Sequence, residues 1–124
     1  MTGTVNLLDT NVVIGLLDER PQALHLKAQF NFTFETIAIS QITRIELLSF
    51  PNLNAVEEQK IRSFPDACHV LIIDHAIEAA TIDLRRRTRL KLPDAIIGAT
   101  ALVHGLRLVT LDARLEAALQ PAGP

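Results

Sequence analysis

Several residue types that commonly identify a function are scarce in this chain of 124 residues. The single cysteine, Cys68, excludes an internal disulfide and any zinc site built on cysteine pairs, and it fits a reducing compartment. The chain has no Trp or Tyr and only five Phe, so its core must be aliphatic. The five glycines are isolated from one another, which excludes the glycine-rich phosphate loops of nucleotide-binding proteins.

Long apolar runs are also missing, since none approaches the roughly 20 residues that span a bilayer. No basic region precedes an apolar run at the N-terminus, so we expect no signal peptide, no membrane partner and a cytoplasmic location. A net charge of −2 gives no general support for nucleic-acid binding. Basic residues nevertheless crowd into one short stretch, which is either a solvated helix face or a patch that contacts phosphate: Arg85, Arg86, Arg87, Arg89 and Lys91.

The length fits one domain, residues 1–124, with a flexible tail expected at 119–124. Short apolar strands alternate with helical segments along the whole chain. This alternation predicts an α/β domain with a central parallel sheet covered by helices on both faces. The strands are predicted at 5–8, 37–39, 70–73 and 107–110, and the main helices at 41–50, 55–64, 76–90 and from Pro93 to near Gly105.

Acidic residues fall where the predicted strands end. Asp9, Asp74 and Asp112 each follow a strand, and Asp94 lies in the first turn of the helix that leads to the last strand. Ligands of open parallel sheets bind at the carboxyl ends of the strands, so these acids can meet at one edge. Each also has a plain structural interpretation as a helix cap or turn residue, and Asp74 is taken as structural.

Glu46 is harder to explain as a surface residue. Its helix carries apolar residues on several faces, which predicts a largely buried helix. An unpaired buried carboxylate is costly, so Glu46 should have a cation, a metal ion or a hydrogen-bond network as its partner. A cluster of acids repels itself unless protons or cations intervene, and oxygen ligands select Mg²⁺ or Mn²⁺. The four histidines form no metal-binding motif.

The ordered set of these motifs resembles the PIN-domain ribonucleases, and more narrowly the VapC-type toxins of bacterial and archaeal toxin–antitoxin pairs. The resemblance runs from about residue 5 to residue 119. It rests on the segments Asp9-Thr10-Asn11, Glu46-Leu47, Leu92-Pro93-Asp94-Ala95-Ile96-Ile97-Gly98-Ala99-Thr100-Ala101 and Leu108-Val109-Thr110-Leu111-Asp112.

The resemblance implies a PIN-like three-layer α/β/α sandwich and an Mg²⁺- or Mn²⁺-dependent endoribonuclease that hydrolyses RNA with a metal-activated water. It also implies a homodimer and a cognate antitoxin protein. One or two metal ions are compatible with it. The residues that match the family's catalytic and metal-binding acids are Asp9, Glu46, Asp94 and Asp112, with Asn11 and Thr110 in supporting positions that orient an acid or bind phosphate.

One departure weakens the last motif, because Leu111 stands where many family members have a polar residue. Some members rely on a later acid, so the fourth acid is Asp112 or Glu116. On this interpretation the RNA backbone would contact the arginines of the basic stretch, Arg85, Arg86, Arg87 and Arg89.

Three alternatives remain open. The first is an Mg²⁺-dependent phosphotransfer domain, although a receiver would need an acidic pair after the first strand and an aspartyl phosphatase would need Asp where Asn11 stands. The second is a catalytically inactive PIN scaffold that binds RNA or a partner protein. The third is a relative that cleaves DNA.

Overall fold

The computed structural model describes residues 3–120. Its centre is a four-stranded parallel sheet with the spatial order β3–β2–β1–β4. Every residue of the two middle strands is buried, so the centre of the sheet is covered on both faces. The strands are β1 Asn6–Leu8, β2 Ile37–Ser40, β3 His69–Leu71 and β4 Arg107–Val109.

Helices fill the connections between the parallel strands. Within residues 3–120 they are α1 Thr10–Leu17, α2 Pro21–Phe30, α3 Gln41–Leu48, α4 Ala55–Ala67, α5 His75–Arg87, α6 Leu92–His104 and α7 Ala113–Ala118.

Two apolar cores lie on opposite faces of the sheet. Leu7 belongs to the core formed with α5, α6 and α7, whereas Leu8 belongs to the core formed with α1, α3 and α4. Successive residues of a strand point to opposite faces, and this explains the division. The predicted three-layer α/β/α sandwich is therefore confirmed.

Local capping chemistry explains where several helices begin. Three side chains accept hydrogen bonds from the first turn of the helix that follows them, as N-cap residues do. The donors are the N–H groups of Ile42, Glu57 and Ile77, and the acceptors are Ser40, Asn54 and Asp74. Asp74 thus has the structural role expected from the sequence.

Helix α6 packs closely against its neighbours because it carries a glycine in its middle. A methyl group at Gly98 would lie 3.0 Å from Leu119, 3.4 Å from Leu84 and 3.5 Å from Leu115. The helix ends at Gly105, which has a left-handed φ of 63°. Leu119 packs against the core formed with α5, α6 and α7 and does not belong to the flexible tail that was predicted from residue 119, and residues 121–124 lie outside the described residues.

Pro65 lies inside α4, and the predicted end of this helix at Phe64 is wrong. A proline within a helix removes the hydrogen bond to the residue four positions earlier, here Ile61. Phe64 and Pro65 are both buried, and Phe64 packs in the core next to α1 and α3. This packing holds the chain helical to Ala67.

Strand β3 ends two residues earlier than predicted, at Leu71. The N–H of Ile73 donates to Oε1 of Gln41 at 3.0 Å and makes no ladder bond to β2. Ile72 and Ile73 are consequently exposed at the end of the strand. No helix in residues 3–120 is long and apolar enough to cross a membrane.

Candidate active site

Asp9 lies directly after the carboxyl end of β1, and a backbone hydrogen bond joins it to the neighbouring strand β4. Its N–H donates to the carbonyl of Val109 at 3.0 Å, which extends the pairing of β1 with β4 by one residue. Its Oδ1 accepts from the N–H of Thr10 at 2.7 Å, so Asp9 also begins α1. Its Oδ2 accepts from the hydroxyl of Thr110 at 2.7 Å.

Thr110 connects Asp9 to the segment that carries Asp112. While its hydroxyl donates to Asp9, the same oxygen accepts from the N–H of Asp112 at 2.9 Å. A bond to a neighbouring acid is one of the two roles that the family resemblance implies for Thr110, the other being a bond to phosphate. Oδ1 of Asp112 in turn accepts from the N–H groups of Arg114 and Leu115, so Asp112 also caps α7.

Glu46 has a hydrogen-bond network as its partner. Its Oε1 accepts from the hydroxyl of Thr10 at 2.7 Å, and the hydroxyl oxygen of Thr43 lies 2.9 Å from that of Thr10. Glu46 is only half-buried and Ile45 is 49% exposed, so the prediction of a helix buried on several faces is wrong. The apolar stripe of α3 is narrow, with Thr43 and Leu47 as its buried residues.

Thr10 and Thr43 are the members of the site that the sequence analysis missed. Thr10 is 9% exposed and Thr43 is fully buried. Thr43 precedes Glu46 by three positions, which brings the two side chains onto the same face of α3. That spacing is the signal that could have identified Thr43.

Asp94 lies in the first turn of α6, facing the same cleft as Asp9 and Glu46. Its carboxylate makes no hydrogen bond to any residue that the structure describes. Burial raises its pKa above the ordinary carboxyl value, and the charges of Asp9 and then Asp112 raise it further. The ammonium group of Lys91 opposes this shift.

The pKa of Asp9 is also raised. Burial is the largest cause, and the charges of Asp112 and Glu46 add to it, while the hydrogen bonds from Thr110 and Thr10 lower it. The four acids come from four separate parts of the chain, and Asp9 is close enough to each of the other three for their charges to repel one another. The charge of Asp112 contributes to both shifts.

Three of the four predicted acids, Asp9, Glu46 and Asp94, line a shallow cleft of about 420 Å³, and Asp112 is not among its lining residues. Asn11 is exposed at its edge and makes no hydrogen bond to Asp9 within residues 3–120, so the predicted orienting contact is absent. The N–H of Thr10 and the hydroxyl of Thr110 orient Asp9 in its place. The cleft is lined by Asp9, Thr10, Asn11, Ile14, Glu46, Ser49, Phe50 and Asp94.

The donor set fits a divalent cation of the Mg²⁺ or Mn²⁺ type. All the charged groups offer oxygen, and the repulsion that raises the pKa of Asp94 is what a bound cation would relieve. As far as the described residues go, Asp94 has both oxygens free of hydrogen bonds, and Glu46 and Asp112 each have one. Each oxygen of Asp9 accepts one hydrogen bond and keeps a second lone pair for a cation. No three acidic, histidine or cysteine side chains in residues 3–120 are already gathered as a ligand group.

The arginines near the end of α5 do not form one patch. An amino group of Arg85 donates to the carbonyl of Leu90 at 3.0 Å, and Arg87 pairs with Asp83 at 2.8 Å. Arg86 and Arg89 are exposed. Residues 85, 86 and 87 are consecutive in a helix, so their side chains point in directions about 100° apart.

A second cleft, with a larger volume of about 620 Å³, is lined by some of these arginines. Two of its arginines come from the end of α5 and the loop that follows, and the third comes from α7. This third arginine, Arg114, is absent from the sequence prediction because it is distant from the others along the chain. The lining residues are Arg87, Thr88, Arg89, Leu90, Arg114, Ala117 and Ala118.

Comparison with known proteins identifies relatives of this architecture. A family model for the PIN domain matches residues 7–118. A toxin–antitoxin complex from Klebsiella pneumoniae has a chain that is 34% identical, with 90% of each chain covered and a TM-score of 0.76. The search of curated proteins gives no match.

Two more distant solved structures share the fold. DNA-bound VapBC from Salmonella typhimurium is 24% identical, covers 92% of this chain and 91% of its own, and has a TM-score of 0.76. FitAcB from Neisseria gonorrhoeae is 23% identical, covers 93% of each chain and has a TM-score of 0.72.

Proposed function

The chain belongs to the PIN-domain family, and on this basis we propose that it is an Mg²⁺- or Mn²⁺-dependent endoribonuclease and the toxin of a type II toxin–antitoxin pair. One observation carries the proposal. Asp94 is held without a hydrogen-bond partner among the described residues, in a cleft where burial, and then the charges of Asp9 and Asp112, raise its pKa. An arrangement that disfavours the ionised acid is stabilised once a divalent cation is bound.

Each acid has a distinct part in this proposal. Asp9 and Asp94 would hold the cation or cations, and Asp112 would complete the set with its oxygen that does not cap α7. Glu46 would hold and orient the attacking water through its free oxygen, while Thr110 fixes Asp9. When bound, the divalent ion supplies a Lewis acid that lowers the pKa of a water and neutralises charge on the phosphate.

We propose that the RNA backbone lies in the cleft of Arg87, Arg89 and Arg114. The loop with Arg89 leads directly to the helix that carries Asp94, and Arg114 follows Asp112 by two residues. Positive charge beside an acidic site attracts the phosphates that the acids repel. Arg89 and Arg114 would make the main contacts, because Arg85 is occupied with the carbonyl of Leu90 and Arg87 is paired with Asp83.

We propose that the antitoxin binds in an apolar groove of about 340 Å³ between α1, α3 and α4. Ile14 and Phe50 line both this groove and the acidic cleft, so a polypeptide bound in the groove would border the acids and block access to them. The relatives from Klebsiella pneumoniae and Salmonella typhimurium, solved as a toxin–antitoxin complex and as DNA-bound VapBC, support a partner of this kind.

We also propose a homodimer. Ile45, Ile72 and Ile73 are 49%, 63% and 37% exposed. Gln41 joins their two segments, because it bonds to the N–H of Ile73 and lies one helical turn before Ile45. Exposed isoleucines on segments joined in this way are suited to an interface with a second copy.

The inactive scaffold remains the second candidate. It is favoured by the separation of the carboxylates, since no three of them form a ready ligand group in residues 3–120. Membership of the PIN-domain family leaves the phosphotransfer alternative without support.

The test is cleavage of total RNA by purified protein free of antitoxin, in Mg²⁺, in Mn²⁺ and in EDTA. The proposal predicts new RNA ends in both metals and none in EDTA. Attack by water predicts 5′-phosphate and 3′-hydroxyl ends at each cut. If the metal-loaded protein binds RNA without cutting it, the scaffold is the better account.

A further inference from the structure

A chain of two hydroxyl groups ends on Glu46. The hydroxyl oxygens of Thr43 and Thr10 are 2.9 Å apart, and the hydroxyl of Thr10 is 2.7 Å from Oε1 of Glu46. Thr10 belongs to α1 and the other two residues belong to α3, so the chain joins two helices at the acidic cleft.

The direction of both hydrogen bonds follows from counting protons. A carboxylate oxygen only accepts, so the single hydroxyl proton of Thr10 is donated to Glu46. The hydroxyl of Thr43 must then donate to the oxygen of Thr10. Both threonine hydroxyls are therefore oriented towards Glu46.

Thr43 differs from two other buried helical threonines in the use of its hydroxyl. Thr81 and Thr100 each donate to the carbonyl four residues earlier, at 2.7 Å, which is the common local bond of a threonine in a helix. Thr43, fully buried, makes its hydrogen bond across to Thr10 on another helix. Its hydroxyl is directed to the site and not to its own helix.

We infer that Thr43 is a positioning residue that acts through Thr10 on Glu46. By donating to Thr10, it orients the hydroxyl that occupies Oε1 of Glu46, and this leaves Oε2 without a hydrogen bond among the described residues. This inference rests on the proposed nuclease function, in which the free oxygen of Glu46 holds the attacking water. Thr43 itself touches neither substrate nor cation.

The test compares Thr43→Val, which removes the hydroxyl at nearly constant shape, with Thr43→Ser, which keeps it. Thr81→Val is the matched control, because it removes a buried hydroxyl that bonds only to its own helix. We expect Thr43→Val to lower kcat about tenfold with KM nearly unchanged, since small displacements of a catalytic group reduce rate strongly. Thr43→Ser should restore kcat, and Thr81→Val should retain it.

A double-mutant cycle with Glu46→Gln separates positioning from general damage. If Thr43 acts through Glu46, Thr43→Val should have less than about a twofold effect on kcat in the Glu46→Gln background. Equal losses in both backgrounds, or no rescue by Thr43→Ser, would overturn the inference.

A second readout does not depend on cleavage. A crystal structure of Thr43→Val should have the side chains of Thr10 and Glu46 displaced from their wild-type positions, whereas an unchanged Thr10–Glu46 pair contradicts the inference. If the wild type cuts no RNA, the proposed function fails and this structure still tests the hydroxyl chain. If wild type and Thr43→Val cut RNA equally, the inference alone fails.

Discussion

The hydroxyl of Thr110 donates to Oδ2 of Asp9 at 2.7 Å across 101 positions of sequence. The two residues follow β1 and β4, which are neighbours in the sheet, so the parallel pairing brings them together. Because the same oxygen accepts from the N–H of Asp112, one threonine fixes two of the proposed acids relative to each other.

Thr110→Val should therefore reduce cleavage more than it reduces stability. Loss of the hydroxyl frees the carboxylate of Asp9 and leaves the N–H of Asp112 without its partner. Removal of a group that orients metal ligands costs about 10- to 100-fold in activity or metal affinity. The measurement is kcat with the Mn²⁺ dissociation constant, and Thr110→Ser should keep both near wild type. Full activity in Thr110→Val would contradict this role.

In EDTA, Asp94→Asn should stabilise the protein, and its gain in free energy of unfolding over the wild type should increase with pH. The folded pKa of Asp94 lies above the ordinary value of 3.8, so folding favours its protonated form. Between 3.8 and the raised pKa the folded state binds more protons than the unfolded state, and wild-type stability falls as pH rises.

Asparagine carries no proton to lose, so this decline is missing in the variant. Urea unfolding of both proteins at a series of pH values from acid to neutral gives the difference between their free energies of unfolding. It should be smallest near the acid end and largest at neutral pH. A difference that is constant with pH would mean that the acid is not destabilised by folding.

Arg89→Gln and Arg114→Gln should each weaken RNA binding and reduce its dependence on salt. Each phosphate contact with single-stranded RNA contributes about −0.7 to the slope of log K against log salt. Fluorescence anisotropy on the Asp94→Asn background measures binding without cleavage. Arg62→Gln, on the exposed face of α4, is the control and should leave the slope unchanged. An unchanged slope in the double variant at 89 and 114 would remove the second cleft from the RNA path.

Gly15→Ala should destabilise the protein more than Gly98→Ala. A methyl group at Gly15 would lie 2.7 Å from Cβ of Ala23, and neither atom can rotate away, so α1 and α2 must separate. Such overpacking costs about 1–3 kcal/mol, against a gain in helix propensity of about 1 kcal/mol. At Gly98 the nearest atom, 3.0 Å away, is the end of the flexible side chain of Leu119. Urea unfolding gives both values, and the reverse order would contradict this explanation.

Local chemistry made much of the fold predictable. Ser40, Asn54 and Gly105 begin or end helices through their own side chains or backbone, and the sequence alone identifies such positions. The order of short strands and helices was sufficient for the three-layer architecture.

Contacts between distant residues were not predictable in the same way. Pro65 stays in a helix because Phe64 is buried in the core, and β3 ends early because Gln41 takes the N–H of Ile73. Thr43 joins the site only because α1 and α3 meet there. Each depends on packing between elements that are separated along the chain, which periodicity and capping signals do not report.

The most direct test of the proposed active site is the rate of RNA cleavage in Mn²⁺ by Asp94→Asn. Asp66→Asn, which removes an exposed acid from α4, is the matched control for loss of one negative charge. The account predicts that Asp94→Asn loses cleavage by about 100-fold or more, as an essential metal ligand should, while Asp66→Asn cuts like wild type. Equal cleavage by all three proteins would contradict the assignment of the active site to this cleft.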